Sequence, residues 1–125
     1  MTKLVILKMI VFYANIYGVD PKLAVSVAQI ESGLNPNAIS STSDYGVFQL
    51  NSNSFPQYSK QELLIPEINI IEGINYLAKM KKECKFKDNN EWLACYNLGK
   101  RKASKIHYPK LWPYTKKVLT AMKEI

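Results

Sequence analysis

Glu31 is the residue of this sequence whose type and spacing most readily support chemistry. Leu23, Val27 and Glu31 fall at i, i+4 and i+8, with Ala24 and Ala28 in the neighbouring row. A helix through them therefore carries a carboxyl group on its apolar face. Burying an unpaired carboxylate costs on the order of several kcal/mol, and the negative end of the helix dipole adds to the penalty in the last turn. Both effects raise the pKa. A carboxyl group that keeps its proton near neutral pH can serve as a general acid, for example by protonating a glycosidic oxygen. The plainer alternative is that Glu31 turns outward at a frayed helix end or pairs with a lysine. Asp44, 13 residues on and behind the run Ser40-Ser41-Thr42-Ser43, is the second carboxylate of interest. It is either a partner of Glu31, as acid/base or acid/nucleophile, or the anchor of an Asx turn or cap.

Helices must supply the frame. Thr2 can cap a first helix that ends at Gly18, with Val5, Met9, Phe12, Ile16 and Ile6, Ile10, Tyr13, Tyr17 as apolar stripes. The apolar run Leu4 to Tyr17 is similar to the core of a secretory signal. Lys8 interrupts it, no cleavage site follows, and it is too short to span a bilayer, so it is expected to be a helix of the fold. Asp20 caps the next helix, Pro21 occupies its first turn, and Gly33 ends it. Residues 34–44 read as irregular, and the apolar stretch from Gly46 to Leu50 fits either a helical turn or a strand. A loop from Ser52 to Lys60 follows. Pro66 opens a helix through Ile70, Ile74 and Leu77 to about Lys82, and Asn89 or Asn90 caps a shorter one from Glu91 to Tyr96. The last helix carries Tyr114, Val118, Met122 and Ile125 at helical spacing. The expected fold is one mainly α domain over residues 1–125, with a small hairpin or irregular segment near 38–52.

Composition agrees with this. At 125 residues, with 47% hydrophobic and 22% charged, the chain can bury one core and is too apolar for disorder. Only 5 Gly and 6 Pro leave few breaks in long helices. A net charge of +7 suggests a polyanionic partner: nucleic acid, an anionic membrane, or an acidic polymer such as bacterial cell wall. The basic residues cluster at Lys79, Lys81, Lys82, Lys85, Lys87 and at Lys100, Arg101, Lys102, Lys105, either as solvated faces or as a retaining surface. A nucleic-acid-binding module built on them lacks zinc spacing, a recognition-helix pattern and a stacking platform, and leaves Glu31 unexplained. Neither nucleic acid nor a membrane span is expected, and no metal or cofactor. Cys84 and Cys95 form a disulfide or remain two thiols. His107 belongs to a loop, and Trp92 and Trp112 to the core.

Four short motifs in order resemble one family. Ala28-Gln29-Ile30-Glu31-Ser32-Gly33-Leu34-Asn35-Pro36-Asn37 resembles the opening motif of lytic transglycosylases of the soluble (SLT) type. Gly46-Val47-Phe48-Gln49-Leu50-Asn51 is similar to their Gly-Leu-Met-Gln motif, 15 positions after Glu31. Asn69-Ile70, Glu72-Gly73 and Tyr76-Leu77 are similar to the third motif, and Ala94-Cys95-Tyr96-Asn97-Leu98-Gly99 to Ala-Tyr-Asn-x-Gly. The resemblance implies a lysozyme-like helical fold that cleaves the MurNAc–GlcNAc β-1,4 bond of peptidoglycan glycan strands. In that scheme Glu31 protonates the glycosidic oxygen, then takes the proton of the muramic C6 hydroxyl, closing a 1,6-anhydro ring. Gln49, Asn51, Tyr96, Asn97, Tyr76 and Ser43 would contact substrate.

The departures from the pattern are specific. Asp44 is also similar to the second catalytic carboxylate of animal-type lysozymes, which leaves a hydrolase with Glu31 and Asp44 as the alternative. The Glu31-to-Asp44 interval is shorter than in those lysozymes and favours the transglycosylase. Phe48 replaces Met, Cys95 replaces Ala, and Leu98-Gly99-Lys100-Arg101-Lys102 lacks the common Gly-Pro-Gly turn. A monomer acting on the bacterial wall is expected, delivered by lysis, a virion or a secretion apparatus.

Overall fold

The computed structural model describes all residues, 1–125. Seven helices and one two-strand antiparallel ribbon form a mainly α, lysozyme-like domain. The helices are α1 (Lys3–Tyr17), α2 (Pro21–Ser32), α3 (Lys60–Leu63), α4 (Pro66–Glu83), α5 (Leu93–Leu98), α6 (Lys100–Ala103) and α7 (Pro113–Lys123), with a 3-10 turn at Pro109–Leu111. The strands β1 (Asp44–Tyr45) and β2 (Leu50–Asn51) pair Asp44 with Asn51 and Tyr45 with Leu50. The segment 46–49 is therefore the hairpin's turn and Leu50 its returning strand. No helix is long and apolar enough to cross a membrane.

The first two helices begin and end at the expected residues. Thr2 Oγ1 accepts from Val5 N at 3.3 Å, and Asp20 Oδ1 from Lys22 N at 2.9 Å. Gly18 and Gly33 close their helices in the left-handed region, at φ 71° and 64°. Helix α2 is the core helix: every residue from Leu23 to Ala28 is buried, between α1 on one side and α7 on the other. Helix α1 buries only Ile6, Ile10 and Ala14, the i, i+4, i+8 row against α2 and α4. Of the other expected stripe Val5, Phe12 and Ile16 are exposed and Met9 is partly buried, because α2 and α4 pack on one face of α1 only.

Three elements differ from the sequence expectation. Ser59 and Glu62 make a capping box that starts the short α3 inside the expected loop. Asn89 and Asn90 do not cap α5; both adopt positive φ in the preceding turn, and α5 starts after Trp92 without a side-chain cap. Ile125 lies beyond α7 and is exposed.

Cys84, at the end of α4, and Cys95, in α5, form a disulfide with Cα atoms 6.0 Å apart. It ties the helix that ends in the basic cluster to the helix that carries Tyr96 and Asn97. Closing this short loop is expected to stabilise the fold by about 2–3 kcal/mol. Thermal melts with and without reductant should show that loss as a lower melting temperature; coincident melts would mean the bond adds nothing.

Candidate active site

One cleft of about 340 Å³ holds most of the residues singled out above. Glu31, Asp44, Gln49, Asn51, Tyr76, Tyr96 and Asn97 all line it, as do Phe48 and Phe55. Ser43 does not; it sits at φ 62° in the bend before β1, where its carbonyl accepts from Ser52 N. The cleft lies between the end of α2, the hairpin, the middle of α4 and the end of α5.

Buried polar contacts hold the hairpin against the helices. Asn69 of α4 is fully buried and uses its whole amide: Oδ1 accepts from Phe48 N at 2.8 Å, and Nδ2 donates to Tyr45 O at 2.7 Å and Leu63 O at 2.8 Å. Gly46, at φ 77°, passes so close that a Cβ there would meet Asn69 Nδ2 at 2.5 Å. Gly73 serves the same end, because a Cβ on it would sit 2.5 Å from Phe48 Cγ. Ser32, next to Glu31, donates from Oγ to Val47 O at 2.7 Å and accepts from Asn35 N at 3.1 Å. The end of α2 and the hairpin turn are thus joined one residue from the Glu31 carboxyl group. Gln49 Nε2 donates to Ala38 O at 3.1 Å and Gly46 O at 3.0 Å, which leaves its Oε1 as the acceptor for a ligand.

The two carboxyl groups have opposite surroundings. Burial raises the Glu31 pKa, the hydrogen bond from Tyr114 opposes the rise, and the charge of Asp44 adds to it; the net direction is up. Asp44 is partly desolvated, but hydrogen bonds from Thr42, Asn51 and Ser40 outweigh that and its pKa is lowered. Its Oδ2 accepts from Thr42 Oγ1 at 2.6 Å and Ser40 Oγ at 2.8 Å, and its Oδ1 from Asn51 Nδ2 at 3.0 Å. Asn51 therefore spends its amide on Asp44 and on Thr42 O, so it braces the second carboxylate instead of offering donors to a sugar. Glu31 is thus the easier of the two to protonate and Asp44 the easier to keep charged.

An aromatic row forms one side of the site. Ring centroids follow from Phe55 to Tyr76 at 6.2 Å, to Tyr96 at 5.3 Å and to Tyr114 at 6.4 Å. Burial raises the pKa of Tyr76, Tyr96 and Tyr114, so each remains a neutral phenol. The Asn97 side chain is held from outside: Trp112 Nε1 donates to its Oδ1 at 2.9 Å. Trp92 is in the core as expected, whereas Trp112 is half-buried and acts on the site through that bond.

Tyr114 is the residue in contact with Glu31 that the sequence did not single out. Its hydroxyl donates to Glu31 Oε2 at 2.7 Å across 83 residues, made possible by the packing of α7 on α2. The bond fixes one carboxyl oxygen and leaves the other toward the cleft. Tyr114→Phe is expected to lower the rate about tenfold or more, the scale of a lost hydrogen bond to a charged group. Because that bond favours the carboxylate, its loss moves the Glu31 pKa further up. The alkaline limb of the pH–rate profile should shift to higher pH; an unmoved limb would mean that the bond does not act on Glu31.

Residues 8–110 match the family described as Transglycosylase SLT domain. Curated relatives include the endo-type membrane-bound lytic murein transglycosylases A of Salmonella paratyphi B and Salmonella enteritidis PT4, each 36% identical in the matched stretch. That stretch covers 50% of this chain and 36% of the relative, so the match spans about a third of the relatives' length. With the family match running from the first helix to the 3-10 turn, across the glutamate, the hairpin and both tyrosine motifs, the chain belongs to the transglycosylase SLT domain family.

Proposed function

We propose that the protein is a peptidoglycan lytic transglycosylase, cleaving the MurNAc–GlcNAc β-1,4 bond with Glu31 as its only proton-transferring group. The observation that carries this reading is the transglycosylase family match across Glu31 and the hairpin, and the surroundings of the two carboxyls agree with it. Glu31 is pushed up and faces the cleft, while Asp44 is pushed down with both oxygens engaged. A group that begins protonated gives its proton to the leaving glycosidic oxygen as the bond to the anomeric carbon breaks. The substrate's own N-acetyl carbonyl stabilises the positive centre, helped by the negative field of Asp44. The Glu31 carboxylate, steadied by Tyr114, then takes the proton of the C6 hydroxyl, whose oxygen bonds to the anomeric carbon. Glu31 ends as it began, and no water enters the product. The disulfide agrees with action outside a reducing cytosol, at the cell wall.

The lysozyme-like alternative makes Asp44 a second catalytic carboxylate. Purified protein incubated with peptidoglycan, with products read by mass spectrometry, separates the two. Anhydro ends, lighter by one water, are expected; reducing ends would promote Asp44, and no soluble product would remove both readings. Asp44→Asn should retain anhydro products at a rate within about tenfold of wild type, small beside the 10²–10⁴-fold of a lost proton donor. Removing its charge also lowers the Glu31 pKa, so the alkaline limb moves to lower pH, opposite to Tyr114→Phe. Abolished activity in Asp44→Asn would overturn the single-carboxyl mechanism.

A further inference from the structure

Leu98 and Gly99 line the cleft, and α6 starts directly after Gly99. The stretch around it is strongly charged. Residues 79–105 hold nine of the 17 basic residues of the chain and three of its 10 acidic ones. The one ion pair joins Lys100 to Glu83. Two more of these cations are engaged with backbone: Lys85 Nζ donates to Ser104 O at 2.9 Å and Lys87 Nζ to Lys82 O at 2.6 Å. Six are left exposed and without an ion pair: Lys79, Lys81 and Lys82 toward the end of α4, and Arg101, Lys102 and Lys105 within five residues of one another in and after α6, the helix that starts at the cleft-lining Gly99. Like charges this close repel, and they concentrate a positive potential at the end of the groove. Lys100, the first residue of α6, is near enough to the cleft for its charge to act on the lining residue Tyr76, where its partner Glu83 acts in the opposite sense.

A partner for these groups carries anions, and because α6 starts at the cleft-lining Gly99, an anionic part of whatever lies over Glu31 is the partner nearest to hand. On the proposed reading the occupant is a glycan strand whose muramic residues bear short acidic peptides. The N-acetylated sugar rings are neutral and the peptides carry free carboxylates. We infer that Arg101, Lys102 and Lys105 form a subsite for the stem-peptide carboxylates, so that the enzyme selects strands whose stems are charged. This rests on the cleft being a glycan site.

The test uses Glu31→Gln protein, which holds its ligand intact, and two peptidoglycan fragments of equal length. One has free stem carboxylates and the other has them converted to carboxamides. Calorimetry should give about tenfold weaker binding of the amidated fragment, the sum expected of a few exposed ion pairs. The gap should shrink as salt rises. In the background R101S/K102S/K105S, at exposed positions whose unchanged melting temperature verifies folding, both fragments should bind alike at the weaker level. Equal binding of the two fragments by the parent protein overturns the subsite and leaves the transglycosylase reading standing. A gap that survives the triple substitution also overturns it, placing recognition elsewhere. Competition only by a phosphodiester polymer, with both fragments bound alike, would assign α6 to that class instead. If neither fragment binds and wild-type protein releases no product from peptidoglycan, the glycan reading and the subsite fall together.

Discussion

Glu31→Gln is expected to reduce release of anhydro-ended products by about three orders of magnitude or more, because in the proposed mechanism a single group performs both proton transfers. The amide keeps the size of the side chain and an oxygen to accept from Tyr114, so the fold should survive. Stability supplies an independent signature. The folded-state pKa of Glu31 is raised above its unfolded value. Its stabilising contribution is therefore fully present below the unfolded pKa and is lost as pH rises through the folded one. Glutamine does not titrate. The melting temperature of the variant should thus gain on that of wild type as pH climbs from the acid side of the ordinary carboxylate range toward neutrality. A rate within threefold of wild type would mean that the proton comes from another group. A difference in melting temperature independent of pH would mean that Glu31 is not held out of water.

Asn69→Leu should be the most damaging substitution to the fold that leaves every lining side chain in place. It removes one acceptor and two donor contacts at a fully buried position, each worth about 1–3 kcal/mol when a polar partner is stranded. A total of roughly 3–6 kcal/mol is a large part of the 5–15 kcal/mol that a domain commonly has. Urea unfolding should show the midpoint falling steeply, with activity lost in the remaining folded fraction because the turn that carries Phe48 and Gln49 is no longer clamped to α4. Asn69→Asp retains the acceptor for Phe48 N but not the donors, and it adds a buried charge, so it should do no better. A loss below about 1 kcal/mol in Asn69→Leu would show that the hairpin is held by packing alone.

Much of this site can be read in the chain because its key signals are local. Glu31 stands out from the i, i+4, i+8 spacing of its own helix, and the caps Thr2, Gly18, Asp20 and Gly33 act within a few residues of themselves. The disulfide stayed open as a sequence question, because whether Cys84 and Cys95 meet depends on how α4 turns into α5. The missed pieces depend on distant parts of the chain. Tyr114 has the spacing of an ordinary core residue in α7, and only the packing of α7 on α2 turns it toward Glu31. Asn69 belongs to a recognisable motif, but its purpose appears only when three backbone groups of the hairpin and α3 converge on it. Helix α1 shows the converse error: two apolar stripes look equally fit for burial, yet its neighbours α2 and α4 cover only the row of Ile6, Ile10 and Ala14. Asp44 is the instructive middle case. Its spacing suggested either a partner for Glu31 or a local anchor, and the structure brings it into the cleft while tying both of its oxygens to Ser40, Thr42 and Asn51.

Titration of the side-chain carboxyl carbons by NMR, in protein labelled with carbon-13 at Glu and Asp, reads the protonation of both acids in one experiment. Glu31 should titrate above the ordinary glutamate range and Asp44 below the ordinary aspartate range, with Glu31 moving lower in Asp44→Asn. Glu31 titrating as a free glutamate, or after Asp44 with the order reversed on going from high pH to low, would contradict a mechanism that starts from its proton.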